Sequence, residues 1–540
     1  MDVRPVVRAD GRILIRARIA VAIVLVAVAV TIGFAGAQGR RGGTLNFILK
    51  PEPPHLQGAV STADPIWQAT AKFHNGLLNY DANLNPVPEL AESWQVSPDN
   101  RTITFRLRRG VKFHDGHDFT SADVKFTMEE VIKKYHPRGR TVFAKLDEVQ
   151  TPDPYTAVFK FSAPSPYVMF VFNASETPML PKHIYAGSDP RENPANRAPI
   201  GTGPFRFVKW EKGQFILAER NDKYWDPGKP YLDKLIFRIV PDASARAVGL
   251  ESGDLDVGGP WPVPVADQAR LGSLPHLALE TRGYTMVSAL FYLEFNMRDP
   301  TFKDVRVRRA IAHAINTAQL AEVVWFGSAA PATGPISDKL MRFYSPNVPR
   351  YEYAPKKAES LLDEAGFKRG QDGVRMRLAL DAAPYDDNYL RSGEFVRQQL
   401  RQVGIEASMR NEDSPAYFRR IWTANDFQLN LYGISNTPDP TIGVQRLYWS
   451  KNIVKGAPFT NGSGYENAQI DRILETAQVE PDPQKRKKLW ADFQQLAMTE
   501  LPIIPLLRLD MVTILNKRVK NLAAGGLGIY DTFADVYVER

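Results

Sequence analysis

The 540-residue chain contains no cysteine, which removes disulfides, thiolate metal sites, cysteine nucleophiles and any acylated-cysteine lipid anchor together. It also lacks a G-x-S-x-G nucleophile elbow, an H-E-x-x-H pair and a P-loop lysine motif. Gly201-Thr202-Gly203 has no third glycine and precedes a strand-like run, so it does not read as a dinucleotide loop. There is no internal repeat at the roughly 20–50-residue period of solenoids, no low-complexity tract and no long Gly/Ser linker. Enzymatic chemistry, repeat architecture and beads-on-a-string organisation therefore have no positive support. What is present is globular: 44% apolar residues, 24% charged and 11% aromatic. The length exceeds what one hydrophobic core serves, so two or three domains should share it.

The net charge of +8 is partly an address. Within residues 1–37, Arg4, Arg8, Arg12, Arg16 and Arg18 stand against Asp2 and Asp10, leaving +5 for the remaining 503 residues. That is too dilute to imply a nucleic-acid partner. The arginine-bearing stretch ends at Arg18, the apolar run Ile19–Val30 follows, and small residues lead to Ala35-Gly36-Ala37. This is the pattern of an export signal cleaved after Ala37. An uncleaved anchor is the competing reading, because Ile19–Ala37 is uncharged and approaches the ~20 residues that span a bilayer. Gly33, Gly36 and the Ala-x-Ala site favour cleavage.

Strand signals come first along the chain. Thr102–Leu107 alternates Ile103, Phe105 and Leu107 against Thr102, Thr104 and Arg106. Tyr155–Phe161, Phe205–Trp210, Gln214–Glu219 and Leu235–Val240 read similarly. The second half turns helical: Asp304–Ile315 spaces Val307, Ile311 and Ala314 on one face, and Pro355–Ala365 begins with proline and ends before Gly366. Asn388–Val403 reads as a helix, Ile405–Met409 as a strand and Gln484–Glu500 as a helix stopped by Pro502. Strands and helices mixed over this length indicate α/β or α+β lobes. His114, Asp115, His117 and Asp118 crowd into five positions, but in a turn such spacing does not by itself converge ligands, and they are read as a polar reversal rather than a metal site. Asp386-Asp387 is read as a solvated loop rather than an acid/base dyad.

From Pro88 to Val124 the sequence PELAESWQVSPDNRTITFRLRRGVKFHDGHDFTSADV resembles the signature of the bacterial extracellular solute-binding proteins of family 5, the dipeptide-, oligopeptide- and nickel-binding components of ATP-driven importers. The match continues through GTGPF at 201–205, ERNDKYWDPGKPYLDKLIFRIVPD at 219–242, AVGLESGDLDV at 247–257, FNMRDPTFKDVRVRRAIAHAIN at 295–316, KKAESLLDEAGF at 356–367 and LPIIPLLRLDMVTI at 501–514. The resemblance implies an α/β, two-lobed periplasmic-binding-protein fold of type II, of the large class with an extra inserted domain. Lobe I would comprise 38–64, 198–284 and 506–540, with a smaller domain at 65–197 inserted in it, and lobe II would fill 285–505. The signature at 88–124 would then lie in the inserted domain, far from any ligand.

The resemblance further implies a monomeric periplasmic receptor without cofactor, partnered by a peptide or peptide-like solute and an inner-membrane permease. In the family, a G-x-x-x-D-x-x-D-P run carries an aspartate that pairs with a peptide's α-ammonium. Here Tyr432–Pro440 places Asn436 at that position, which brings no counter-charge unless Asp439 or Glu52 supplies it. Glu52, in KPEPPHLQ, matches the first ligand-lining loop, although Gln57 and Gly58 depart from the usual L-D-P. Trp261 and Tyr432 are candidate aromatic walls, with Tyr448 and Trp449 as weaker ones. The missing aspartate motivates an alternative cargo: a sugar, opine or metal chelate. An exported hydrolase or chaperone-like protein on a similar fold is the third reading.

Overall fold

The structure is a computed structural model that describes residues 41–539. The expected export signal at 1–37 lies outside the described residues. Among the described residues no helix is long and apolar enough to cross a membrane.

Thr44–Leu49 organises the first lobe. Leu45, Phe47 and Leu49 are fully buried on one face and Ile48 on the other, the two-sided burial typical of a parallel strand inside a sheet. It runs parallel to Lys234–Ile239 on one side and Val257–Gly258 on the other. The complete sheet has seven strands in the order Leu277–Glu280, Thr513–Asn516, Val257–Gly258, Thr44–Leu49, Lys234–Ile239, Phe215–Arg220 and Phe205–Glu211. The C-terminal strand Thr513–Asn516 is thus threaded between two strands from the middle of the chain.

A separate antiparallel sheet of four strands, Ala91–Val96, Thr102–Leu107, Thr156–Phe161 and Leu146–Asp153, forms the smaller domain. Ile103, Phe105 and Leu107 point into its core, as the alternation predicts. His114 fastens this domain to the first lobe. Its Nδ1 accepts from the Gly201 amide at 3.2 Å and its Nε2 lies 3.0 Å from the Gly203 carbonyl. The expected polar reversal thus includes a structural clamp.

The second lobe has six strands in the order Ala329–Pro331, Ile503–Leu509, Ala289–Phe295, Leu429–Ser435, Met376–Ala382 and Ile405–Arg410. Helix Val305–Ala314 begins where Asp304 caps the Arg306 amide at 2.8 Å. Pro355–Glu364 ends before Gly366, whose φ of +89° is left-handed. Asp386 caps helix Asp387–Gln402 through the Asn388 amide, so the exposed Asp386-Asp387 pair opens a helix and is not the loop expected from sequence. The chain crosses between sheets twice, between Glu280 and Ala289 and between Leu509 and Thr513. The expected division at 505/506 falls inside Ile503–Leu509, which pairs with Ala289–Phe295 and belongs to the second lobe. The apolar stretch 501–514 reads as one segment in sequence but feeds both sheets.

His74 is sealed where the first lobe meets the inserted domain, fully buried, with Gln57 Nε2 at 3.4 Å from its Nε2. Burial, aided by His114, pulls its pKa down to about 3. The folded state therefore binds fewer protons than the unfolded chain below about pH 6.5, and this contribution to stability, present above that pH, is lost as pH falls toward 3. Histidine NMR should show the His74 C2 proton in its neutral position from about pH 7 to 4.5, and His74→Gln should lose roughly 2 kcal/mol less stability than the parent across that interval. A His74 midpoint near the ordinary value would contradict the burial.

Candidate functional site between the two lobes

The carboxyl ends of parallel strands are where open α/β sheets place their ligand crevices. Both lobes point such ends at one cleft. In the first lobe, Lys50 follows Thr44–Leu49 and Trp261 follows Val257–Gly258; in the second, Tyr385 follows Met376–Ala382 and Ser435 ends Leu429–Ser435. All four line a cavity of about 330 Å³. Asp64, Tyr385, Ser435 and Met511 also line an adjoining cavity of about 260 Å³. Arg138, Ile442, Arg446 and Phe459 carry the cleft on into a third of about 530 Å³. The combined space suits a solute larger than a single amino acid.

Polar groups on the first-lobe wall are partly committed. Asp64 opens helix Asp64–Phe73; its Oδ1 accepts from the Tyr530 hydroxyl at 2.6 Å and its Oδ2 from Gln68 Nε2 at 2.5 Å. Burial nonetheless raises its pKa, against those two donors and Lys50. Lys50 is in turn held below its usual value by burial and by Arg246, with Asp386 and Asp64 opposing. From the inserted domain, Arg138 grips Glu176 with two nitrogens and lies 4.7 Å over the Trp67 ring. Burial alone would raise Glu176, but Arg138 and His136 outweigh it and leave the carboxylate below its normal range.

On the second-lobe wall, Arg446 has no such partner. Its Nε donates to the Gly443 carbonyl at 3.0 Å and one terminal nitrogen reaches the Ser435 carbonyl at 3.5 Å. Among the described residues no carboxylate forms an ion pair with it. Burial, with Arg138 repelling, pulls its pKa down to about 10. The residues carrying Arg446 fold as they do because Gly443 permits it: a Cβ there would lie 1.6 Å from the Asn436 carbonyl oxygen. Trp261 and Thr437 bracket the cleft at φ of +47° and +56°, left-handed conformations that non-glycine residues adopt at a cost.

The residues singled out from sequence take varied positions. Trp261 lines the cleft, its indole donating to the Asp510 carbonyl at 3.2 Å and its ring 6.2 Å from Trp325. Trp449 lines the third cavity. Glu52 lies outside all three cavities; its carboxylate accepts from Trp210 Nε1 at 2.8 Å and from the Gly213 amide at 3.2 Å. Tyr432 is in the core of the second lobe between Tyr292 and Trp422, and Tyr448 packs on Phe493. Asn436 sits just behind the wall, fully buried, accepting from the Ser337 amide at 2.7 Å and donating to the Tyr292 hydroxyl at 3.1 Å. Asp439 is fully buried in a bidentate pair with Arg486 at 2.6 and 2.8 Å and caps the Thr441 amide. Asp64, Arg138, Glu176 and Arg446 were not singled out. The first could have been found from its place at a helix start just after a strand-following loop; nothing local marks the other three. Part of the inserted domain also reaches the cleft through Arg138, Phe170 and Glu176, while its signature at 88–124 stays away.

The model of the bacterial extracellular solute-binding proteins, family 5, middle region, matches residues 85–455. A Brucella ovis protein named as an ABC transporter peptide-binding protein is 31% identical over 491 residues, 87% of this chain and 88% of its own length. Among solved structures, the periplasmic binding protein DppA of Helicobacter pylori in complex with the peptide STSA has a TM-score of 0.78 at 25% identity, covering 94% of this chain and 100% of that one. The binding protein AgaA from A. tumefaciens R10, in complex with agropinic acid, has a TM-score of 0.76 at 26% identity, covering 92% and 99%.

Removing one partner of the Asp439–Arg486 pair leaves the other charge buried alone. Asp439→Asn should therefore cost roughly 3–5 kcal/mol in urea unfolding of the solute-free protein, and Arg486→Met combined with it should recover a large part. An Asp439→Asn protein as stable as the parent would show that the pair is not holding the wall.

Proposed function

This chain belongs to the bacterial extracellular solute-binding proteins of family 5, and we propose that it is the receptor of an ATP-driven importer, catching a peptide between its lobes and delivering it unchanged to an inner-membrane permease. The setting is the periplasm, reached through an export signal cleaved near Ala37, and the receptor acts as a monomer without catalysis. Two rigid lobes joined by two chain crossings can bind by closure, a solute touching both walls shifting the population from open to closed.

The observation that carries the cargo reading is the pair of cleft charges with no ion-pair contact among the described residues, on which Lys50 and Glu176 act only from beyond ion-pair distance. Arg446 offers a guanidinium without a carboxylate, and Asp64 offers a carboxylate whose contacts are neutral donors. Enclosed in a closing cleft, each favours a solute carrying the complementary charge, because an unmatched buried charge is costly. A zwitterionic peptide satisfies both, its ammonium against Asp64 and a carboxylate against Arg446. This moves the ammonium contact away from Glu52 and Asp439, whose oxygens are committed elsewhere, and leaves Asn436 as a support of the wall. Trp261 contributes an aromatic face.

A second reading is favoured by Arg446 together with Asn436, which brings no negative charge: an anionic, opine-like solute held mainly through its carboxylates. Titration calorimetry distinguishes the two. Free peptides should bind, Arg446→Met should weaken them by about 10- to 100-fold, and Asp64→Asn should weaken free peptides but not their N-acetylated forms. Small-angle scattering should show a more compact molecule with peptide. Identical scattering curves, or a solute recovered chemically altered, would dispose of the receptor; equal affinity for acetylated and free peptides in the parent would select the anionic reading.

A further inference from the structure

We infer that the inserted domain carries a surface site for a borderline divalent cation such as Zn²⁺, built from Asp115, His117 and His183, and distinct from the solute cleft. The sequence offers Asp115 and His117 in one turn, and in isolation that spacing converges nothing. The fold supplies the third group from 66 residues downstream. His183, in the short helical turn Lys182–Tyr185, places its Nε2 2.7 Å from Asp115 Oδ2, while His117 Nδ1 lies 3.2 Å from Asp115 Oδ1. The ligating atoms of all three lie within 4.8 Å of one another.

These separations lie near what a cation needs, the 2.7 Å Asp115–His183 contact having to open by a few tenths of an ångström to admit one. Zinc binds imidazole nitrogen and carboxylate oxygen at roughly 2.0–2.2 Å, which puts neighbouring ligand atoms about 3–3.5 Å apart. One carboxylate oxygen and two imidazole nitrogens leave positions for water, and the nitrogen-rich set favours Zn²⁺, Ni²⁺ or Cu²⁺ over Mg²⁺ or Ca²⁺. The imidazoles must be neutral to ligate, so binding displaces any proton held between Asp115 and the rings.

The site is also held in place before any ion arrives. Gly116, at φ of +94°, lets the chain reverse, and the reversal is closed by Phe113 N to the His117 carbonyl at 2.8 Å and Gly116 N to the Phe113 carbonyl at 2.9 Å. The His183 ring is packed between Phe113, edge-on at 5.9 Å, and His117, stacked at 3.9 Å. On the other strand of the turn, Lys112 engages Asp118 at 2.6 Å, so Asp118 is neutralised and stands outside the ligand set. A bound cation would tie the turn at 113–118 to the segment at 182–185, adding to the Asp115–His183 contact and ring packing already there. The inference rests on this cluster alone and is independent of what the cleft carries.

The test is equilibrium dialysis of the untagged protein against ZnCl₂, with metal counted by mass spectrometry. One zinc per chain is expected at micromolar free metal. His183→Ala and His117→Ala should each weaken it at least tenfold, and His276→Ala, remote from the cluster, should leave it unchanged. Cobalt titration gives a second readout, a visible absorption band present in the parent and lost in His183→Ala. Absence of zinc uptake up to millimolar metal, or uptake that survives both His117→Ala and His183→Ala, would overturn the site.

Discussion

Arg486 and Asp439 meet in the interior of the second lobe, and the cleft wall takes its shape from that meeting. The pair is bidentate and fully enclosed, and Thr441 adds a third contact to the same guanidinium. It pins the start of the short helix Pro440–Gly443 against the long helix Pro483–Glu500. The turn ahead of it is fixed by Asn436 between Ser337 and Tyr292. The wall from Ser435 through Thr437 to Arg446 hangs on a scaffold in which Asn436, Asp439 and Arg486 are already hydrogen-bonded. Such a wall does not have to rearrange when its partner arrives, which limits the entropy lost on association.

In the proposed reading, selectivity comes from the contrast between committed and uncommitted groups. Arg138 is answered by Glu176, Asp439 by Arg486 and Glu52 by Trp210 and Gly213. Arg446 hydrogen-bonds carbonyl oxygens only, and the Glu176 carboxylate acts on it from beyond ion-pair distance. In an enclosed space a charge met by dipoles alone is a standing preference for one sign of solute, and a solute with the wrong charge meets a penalty rather than a missing bond. The apolar surroundings, among them Trp67, Trp261 and Phe459, sharpen that preference by excluding water.

Much of the architecture could be read before the structure was seen. Thr102–Leu107 alternates as its strand requires, with Ile103, Phe105 and Leu107 buried, and Asp304–Ile315 repeats as a helix does although its second half is buried on nearly every side. The site was less readable. Tyr432 carries the right residue type, but it lies opposite Tyr292 inside the lobe while the next residues, Gly433, Ile434 and Ser435, line the cleft, and composition does not reveal where along the strand the wall begins. Asp439 resembles a free carboxylate until Arg486, 47 positions later, is found beside it. Arg446 and Arg138 come from different lobes and share a cavity only through tertiary folding. Likewise His117 and Asp115 become a cluster only when His183 arrives.

The strand Thr513–Asn516 lies between Val257–Gly258 and Leu277–Glu280 rather than at an edge of its sheet. A polypeptide appearing amino end first therefore holds an unfilled slot in its base until residues 513–516 are available. Early collapse into a finished shape is thereby deferred, since the closing contacts join positions more than two hundred residues apart. Truncation by a few dozen residues at the carboxyl end would remove a keystone rather than a tail. The order of assembly is written into the topology: the outer elements can gather first, and the base locks last.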